Sequence, residues 1–130
     1  MEALIFDTTF LIDFQRERKN GDGLAHRVLI NHEDYYARIS VISFGEFAEG
    51  FQSLNDPVLL SIADSFEVLP VDVPVARVYA QLTRTLRRNG YLIDSNDLWI
   101  AATALHYTYP VITRNLEHFT RVPGLQVRNY

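Results

Sequence analysis

The apolar and polar positions of this chain change period several times, and the changes mark out its elements. Ala3 to Phe6 is a short apolar run ending at Asp7, which reads as a strand, and Phe10, Leu11 and Phe14 then recur at helical spacing over Thr8 to Gln15. Leu24, Val28 and Leu29 indicate a second helix, with the polar, glycine-containing stretch Arg18 to Gly23 as the loop between the two. Tyr35 to Val41 reads as a strand, Ser43 to Ser53 as a helix with Ser43 as its cap, and Asp56 to Phe66 as another helix. Glu67 to Asp72 forms the next strand. Pro74 opens a helix in which Val75, Val78, Tyr79, Leu82 and Leu86 follow the i, i+3, i+4 rule, and Gly90 ends it. Asp97 to Tyr107 is apolar nearly all round, as a helix buried on most sides is written, and Tyr109 to Thr113 and Gln126 to Asn129 supply the last strands. This alternation predicts an α/β fold, a parallel sheet with helices on both faces, whose ligands gather at the carboxyl ends of the strands. Asp7 and the turn from Thr113 to Asn115 fall there.

Composition narrows the chemistry. The 130 residues are 48% hydrophobic, enough for one core and too few for two, so residues 1–130 are expected to form one domain. No apolar run approaches the roughly 20 residues of a membrane span, and the acidic start is unlike a signal peptide, so a soluble, cytoplasmic protein is expected. The absence of cysteine excludes disulfides, thiolate metal sites and thiol nucleophiles. The four histidines, His26, His32, His106 and His118, show no zinc spacing and are expected mostly at the surface. There is no glycine-rich phosphate loop and no nucleophile elbow. A net charge of −4 with Lys19 as the sole lysine is not a broad nucleic-acid footprint, so any attraction for phosphate must be local. Arg84, Arg87 and Arg88 on one helix offer such a stripe, or only a solvated face; Arg114 and Arg121 are better placed for phosphate, or for pairing with nearby acids.

Three acids stand where elements begin or end. Asp7 lies between an apolar strand and a helix start, where it serves either as a cap or as a carboxylate at a strand tip. Glu46 sits among apolar neighbours in Ser43-Phe44-Gly45-Glu46-Phe47, and Asp97 opens a helix with few polar positions of its own, competing with Ser95 and Asn96 for its cap. Singly each has an ordinary structural reading. Together they offer the oxygen-only donor set that Mg2+ or Mn2+ prefers.

The blocks LIFDTTFLIDF, ISVISFGEFAEGF, NDLWIAATAL and VITRNLEHFTRVPGLQV resemble, in order and spacing over nearly the whole chain, those of PIN domains in the VapC toxin family. The resemblance implies a Rossmann-like parallel sheet and an Mg2+- or Mn2+-dependent endoribonuclease that cuts RNA, with tRNA or rRNA as expected targets. It matches Asp7, Glu46 and Asp97 to the first three acids and Asn115 to the fourth position, often aspartate elsewhere. Thr8 and Thr113 match residues that orient ligands or metal-bound water. In the last block, N-x-x-[DE]-F, the acid is replaced by His118, and Glu117 is the residue that would partly compensate. The resemblance also implies a small VapB-like antitoxin partner and a homodimer, with Phe10, Phe14, Phe47 and Phe51 as a groove for the antitoxin or as ordinary core. A receiver domain also uses an aspartate at a strand tip, but it needs a late lysine that this chain lacks. The remaining alternative is a catalytically silent PIN fold that binds RNA or protein.

Overall fold

The computed structural model describes residues 2–17, 23–31 and 36–130. The expected loop over Arg18 to Gly23 lies, except for Gly23, outside the described residues, as do Lys19, His32, Tyr35 and the side chains of Val28 and Leu29. The elements are β1 (Ala3–Phe6), α1 (Thr8–Arg16), α2 (Leu24–Asn31), β2 (Tyr36–Ser40), α3 (Val41–Ala48), α4 (Pro57–Ser65) and β3 (Glu67–Leu69). There follow α5 (Val73–Asn89), α6 (Ser95–Tyr107), β4 (Val111–Ile112), α7 (Leu116–Phe119) and β5 (Val127–Arg128).

The five strands form one sheet in the order β3-β2-β1-β4-β5, parallel at every pairing. Alternation along β1 divides the core, because successive strand residues face opposite sides. Leu4 and Phe6 pack with Phe10 and Leu11 of α1, Ala25 of α2, Phe47 and Ala48 of α3, and Leu59 and Ile62 of α4. Ile5 packs with Leu82 and Leu86 of α5, Leu98, Ile100, Ala101 and Ala104 of α6, and Phe119 of α7. The expected α/β architecture with helices on both faces is therefore present. Successive connections leave β1 toward β2 and β3, then return to β4 on its other side. The sheet thus opens a crevice at the carboxyl ends of β1 and β4, the usual ligand site of such topologies.

Several boundaries differ from the sequence reading, each for a local reason. Helix α3 starts at Val41, not Ser43: Ser40 is its cap, its Oγ accepting from the Ile42 N–H at 3.1 Å, and Ser43 is buried one turn inside. Helix α6 is capped by Asp94, whose carboxylate accepts from the Asn96 N–H at 3.2 Å; this relieves Asp97, within the first turn, of the capping role. Strand β3 stops at Leu69 because Pro70 has no N–H for the ladder, and Pro110 shortens the start of β4 likewise. The short helix α7 was not foreseen. Gly90 does end α5, with φ of 74° in the left-handed region that glycine enters without steric cost. Phe10 and Phe47 are buried and Phe14 and Phe51 pack against the same cluster, so these phenylalanines are core rather than an open groove.

Candidate active site

Asp7 is delivered to the crevice by β1 and is only 2% exposed. Its Oδ1 accepts from the Phe10 N–H at 3.0 Å, so it does cap α1, while its Oδ2 accepts from Thr113 Oγ1 at 2.6 Å. Thr113 follows β4 and in turn accepts from the Asn115 N–H at 2.8 Å. One carboxylate therefore joins the ends of the two strands that flank the crevice. Burial is the main influence on Asp7 and lifts its pKa from 3.8 to about 6; the bonds from Thr113 and Phe10 oppose this, and Asp97 and Asp13 add to it.

The other two acids arrive from helices on opposite faces of the sheet. Glu46 of α3 accepts at Oε1 from Thr8 Oγ1 at 2.7 Å and at Oε2 from Asn96 Nδ2 at 3.0 Å, which ties α3 to α1 and to α6. Asp97 of α6 accepts at Oδ2 from Asn115 Nδ2 at 3.2 Å and from His118 Nδ1 at 2.7 Å. Both nitrogens are donors to one oxygen, which accounts for their own 3.0 Å approach as neighbours around a shared acceptor. Burial raises the pKa of Asp97; the His118 bond and charge lower it, and Asp94 and Glu46 raise it. Asp97 is near enough to raise Asp7, and Glu46 near enough to raise Asp97.

Oxygen donors remain here for a cation: Asp97 Oδ1, which makes no hydrogen bond among the described residues, and the second lone pairs of Asp7 and Glu46. No three acid or histidine side chains among the described residues stand close enough to enclose an ion by themselves. A cation held here would therefore rest on one or two of these carboxylates and keep much of its water. Buried Asp7, held against its ordinary ionisation with a second acid nearby, is a group that a cation would relieve.

A family model described as PIN domain matches residues 4–125. Ribonuclease VapC1 of Methanocaldococcus jannaschii is 30% identical over 98% of this chain and 86% of its own length. The chain belongs to the PIN-domain family of VapC ribonucleases. Ribonuclease VapC of Rickettsia bellii is also 30% identical, over 96% of this chain and 94% of its own. Among solved structures, the DNA-bound VapBC of Salmonella typhimurium superimposes with a TM-score of 0.80 at 26% identity, covering 99% of this chain and 98% of that one.

In this PIN domain the remaining expected residues divide. Thr8 and Thr113 hold Glu46 and Asp7 respectively. Glu117 turns outward, its side chain 80% exposed and 3.3 Å from Arg121, so it does not stand in for the missing acid. Arg121 also donates to the Leu92 carbonyl at 3.4 Å. Arg114 is 3.4 Å from Asp13 and lies over the Tyr130 ring, and the Tyr130 hydroxyl donates to the same Asp13 oxygen at 2.7 Å. Both arginines thus stand beside the site but pair with acids. The sequence singled out His118 as the replacement for the family acid, and the structure sets it on Asp97 as a hydrogen-bond partner. Two residues near the site have partners that the sequence did not indicate. Asn96 was considered only as a cap, and its clue was adjacency to Asp97. Tyr130 gave no signal, because its partner Asp13 lies 117 residues away.

Proposed function

We propose that the chain is the toxin of a toxin–antitoxin pair, an endoribonuclease that uses Mg2+ or Mn2+ to hydrolyse phosphodiester bonds in tRNA or rRNA, and that a small VapB-like antitoxin neutralises it. The observation that carries this reading is the convergence of Asp7, Glu46 and Asp97 from a strand end and two helices on the crevice between β1 and β4. Asp7 and Asp97 would hold the cation directly, with Glu46 reaching it through water and the Asn115 amide oxygen beside them. Such a cation, when bound, lowers the pKa of its water and neutralises charge on phosphate. Glu46, fixed through both oxygens by Thr8 and Asn96, is placed to take a proton from water arriving at the site. Thr113 and His118 orient the carboxylates of Asp7 and Asp97 so that their free lone pairs are spent on the ligand.

Cleavage of labelled RNA is expected to stop in EDTA and to return with Mg2+ or Mn2+. Ca2+ restores little, because its longer bonds and looser geometry fit a phosphate-transfer site poorly. Full activity in chelator would remove the metal from the mechanism. The second reading, a silent PIN fold, draws on the exchange of the family acid for His118; it predicts RNA binding with no cleavage under any of these metals.

The partner reading rests on relatives solved as VapBC complexes, including the Salmonella typhimurium one. A converging set of carboxylates is the natural counterpart of an arginine or lysine, so the antitoxin is expected to inhibit by placing such a side chain among Asp7, Glu46 and Asp97. A toxin homodimer completes the proposed assembly. Co-expression with the adjacent gene should give a complex that purifies intact and is inactive on RNA. If the chain instead purifies alone, is harmless to its host and leaves its gene neighbour unbound, the toxin reading ends and the nuclease reading stands.

A further inference from the structure

Helix α5 carries four arginines, Arg77, Arg84, Arg87 and Arg88, and no acid, in a chain whose net charge is −4. All four are exposed, and none has a carboxylate partner within salt-bridge distance among the described residues. They do not form the stripe expected from Arg84, Arg87 and Arg88. At 3.6 residues per turn Arg77, Arg84 and Arg88 fall on one line, with Arg87 well to one side. The open surface along that line belongs to α5 alone, with Arg77, Arg84 and Arg88 set among Ala80, Gln81 and Thr85. From Arg77 to Arg88 it spans about 16 Å at the helical rise.

The line leads toward the carboxylates. Helix α5 ends at Gly90, and a short loop then reaches Asp94, the cap of α6, with Asp97 in the first turn. Arg121, next to α7, donates to the carbonyl of Leu92 in that loop, so the end of α5 and the helix bearing His118 are joined at one rim. Tyr91 and Leu92 are both exposed there.

We propose that the Arg77, Arg84 and Arg88 line binds the phosphate backbone of RNA outside the cleavage site, extending the grip on substrate along α5; this rests on the ribonuclease reading above. Charge complementarity selects the occupant. Phosphate contacts need unpaired cationic side chains and no apolar centre, whereas a protein interface is built round an apolar core. Between the arginines the line holds Gln81 and Thr85 with only the small Ala80 and the half-buried Val78 beside them, and its one exposed large apolar side chain, Val73, is at the far end.

The test uses the full chain with Arg77→Gln, Arg84→Gln and Arg88→Gln combined, exposed exchanges that leave the melting temperature near that of the parent. Binding is measured to an RNA hairpin in EDTA, where cleavage is expected to stop, over a salt series, and cleavage with Mg2+ on a short oligonucleotide that fills only the carboxylate site. The triple variant is expected to bind the hairpin at least about tenfold more weakly and to lose about two to three units of the slope of log K against log salt, as three phosphate contacts at about 0.7 each on a single strand to about 0.9 each on a duplex require. Short-oligonucleotide cleavage stays at the parent rate. Unchanged hairpin affinity and slope would overturn the proposal, and unchanged RNA binding with a lost antitoxin complex or dimer would reassign the stripe to a protein. If the parent cleaves no RNA at all, the nuclease reading fails, whereas the slope comparison still decides whether α5 binds phosphate.

Discussion

Asp7→Asn is expected to give a protein that no longer cleaves RNA and yet melts several degrees higher than its parent at pH 7.5. The two effects share a cause. Folded Asp7 keeps its proton up to about 6, against 3.8 for an ordinary aspartate, so the folded state binds more protons between those values. Its contribution to stability is fully present below 3.8 and is lost as pH rises through 6; ionised Asp7 is therefore a cost at neutral pH. A shift of about two units corresponds to at most about 3 kcal/mol. Asparagine keeps an oxygen for the Phe10 N–H but presents an amide N–H to Thr113, which leaves a gain of about 1–2 kcal/mol. Thermal melts of both proteins from pH 4 to 8 check this: the gap should close on acidification. Added Mg2+ should raise the melting temperature of the parent alone, since only the parent binds it. A gap that is absent at pH 7.5, or that does not change with pH, would contradict the burial cost assigned to Asp7.

Asp97→Asn should be as damaging to cleavage, by at least about a hundredfold, with no gain or loss of fold. The amide has the shape of the carboxylate, and its oxygen still accepts from Asn115 Nδ2 or His118 Nδ1, but the charge that would bind the cation is gone. His118→Ala provides the comparison. It removes the 2.7 Å donor that fixes Asp97 and leaves the charge, so the expected loss is about 10–100-fold and appears as weaker metal binding by calorimetry. An Asp97→Asn protein with near-native cleavage and native metal affinity would take Asp97 out of the site. Equal losses in both variants would make His118 as necessary as the acid it holds.

The ordering of these effects turns on details of unequal visibility in the chain. That Asp7 ends an apolar strand is plain from LIFDTT, and of the two readings of Asp7 the structure shows the cap, since its Oδ1 caps α1 while its Oδ2 reaches Thr113. That it is buried, which pushes its pKa up, follows only from the tertiary fold, in which Thr113 at the end of β4 comes against it.

What the sequence by itself determined is local. Period changes marked strands and helices, Pro74 and Gly90 bounded α5, and acids at element ends nominated Asp7, Glu46 and Asp97, because propensity, capping and periodicity act over a few residues. Tertiary structure decided the partners. Thr8 meets Glu46 across 38 residues, Asn96 meets Glu46 across 50, and Thr113 meets Asp7 across 106, contacts that depend on which strand returns beside which. It also chose Asp94 over Asp97 as the cap of α6, set His118 on Asp97 while Glu117 turned to solvent, and buried Phe10 and Phe47 in the core. A side chain's partner is fixed by the return of distant chain, and the spacing of neighbours along the sequence carries no information about that return.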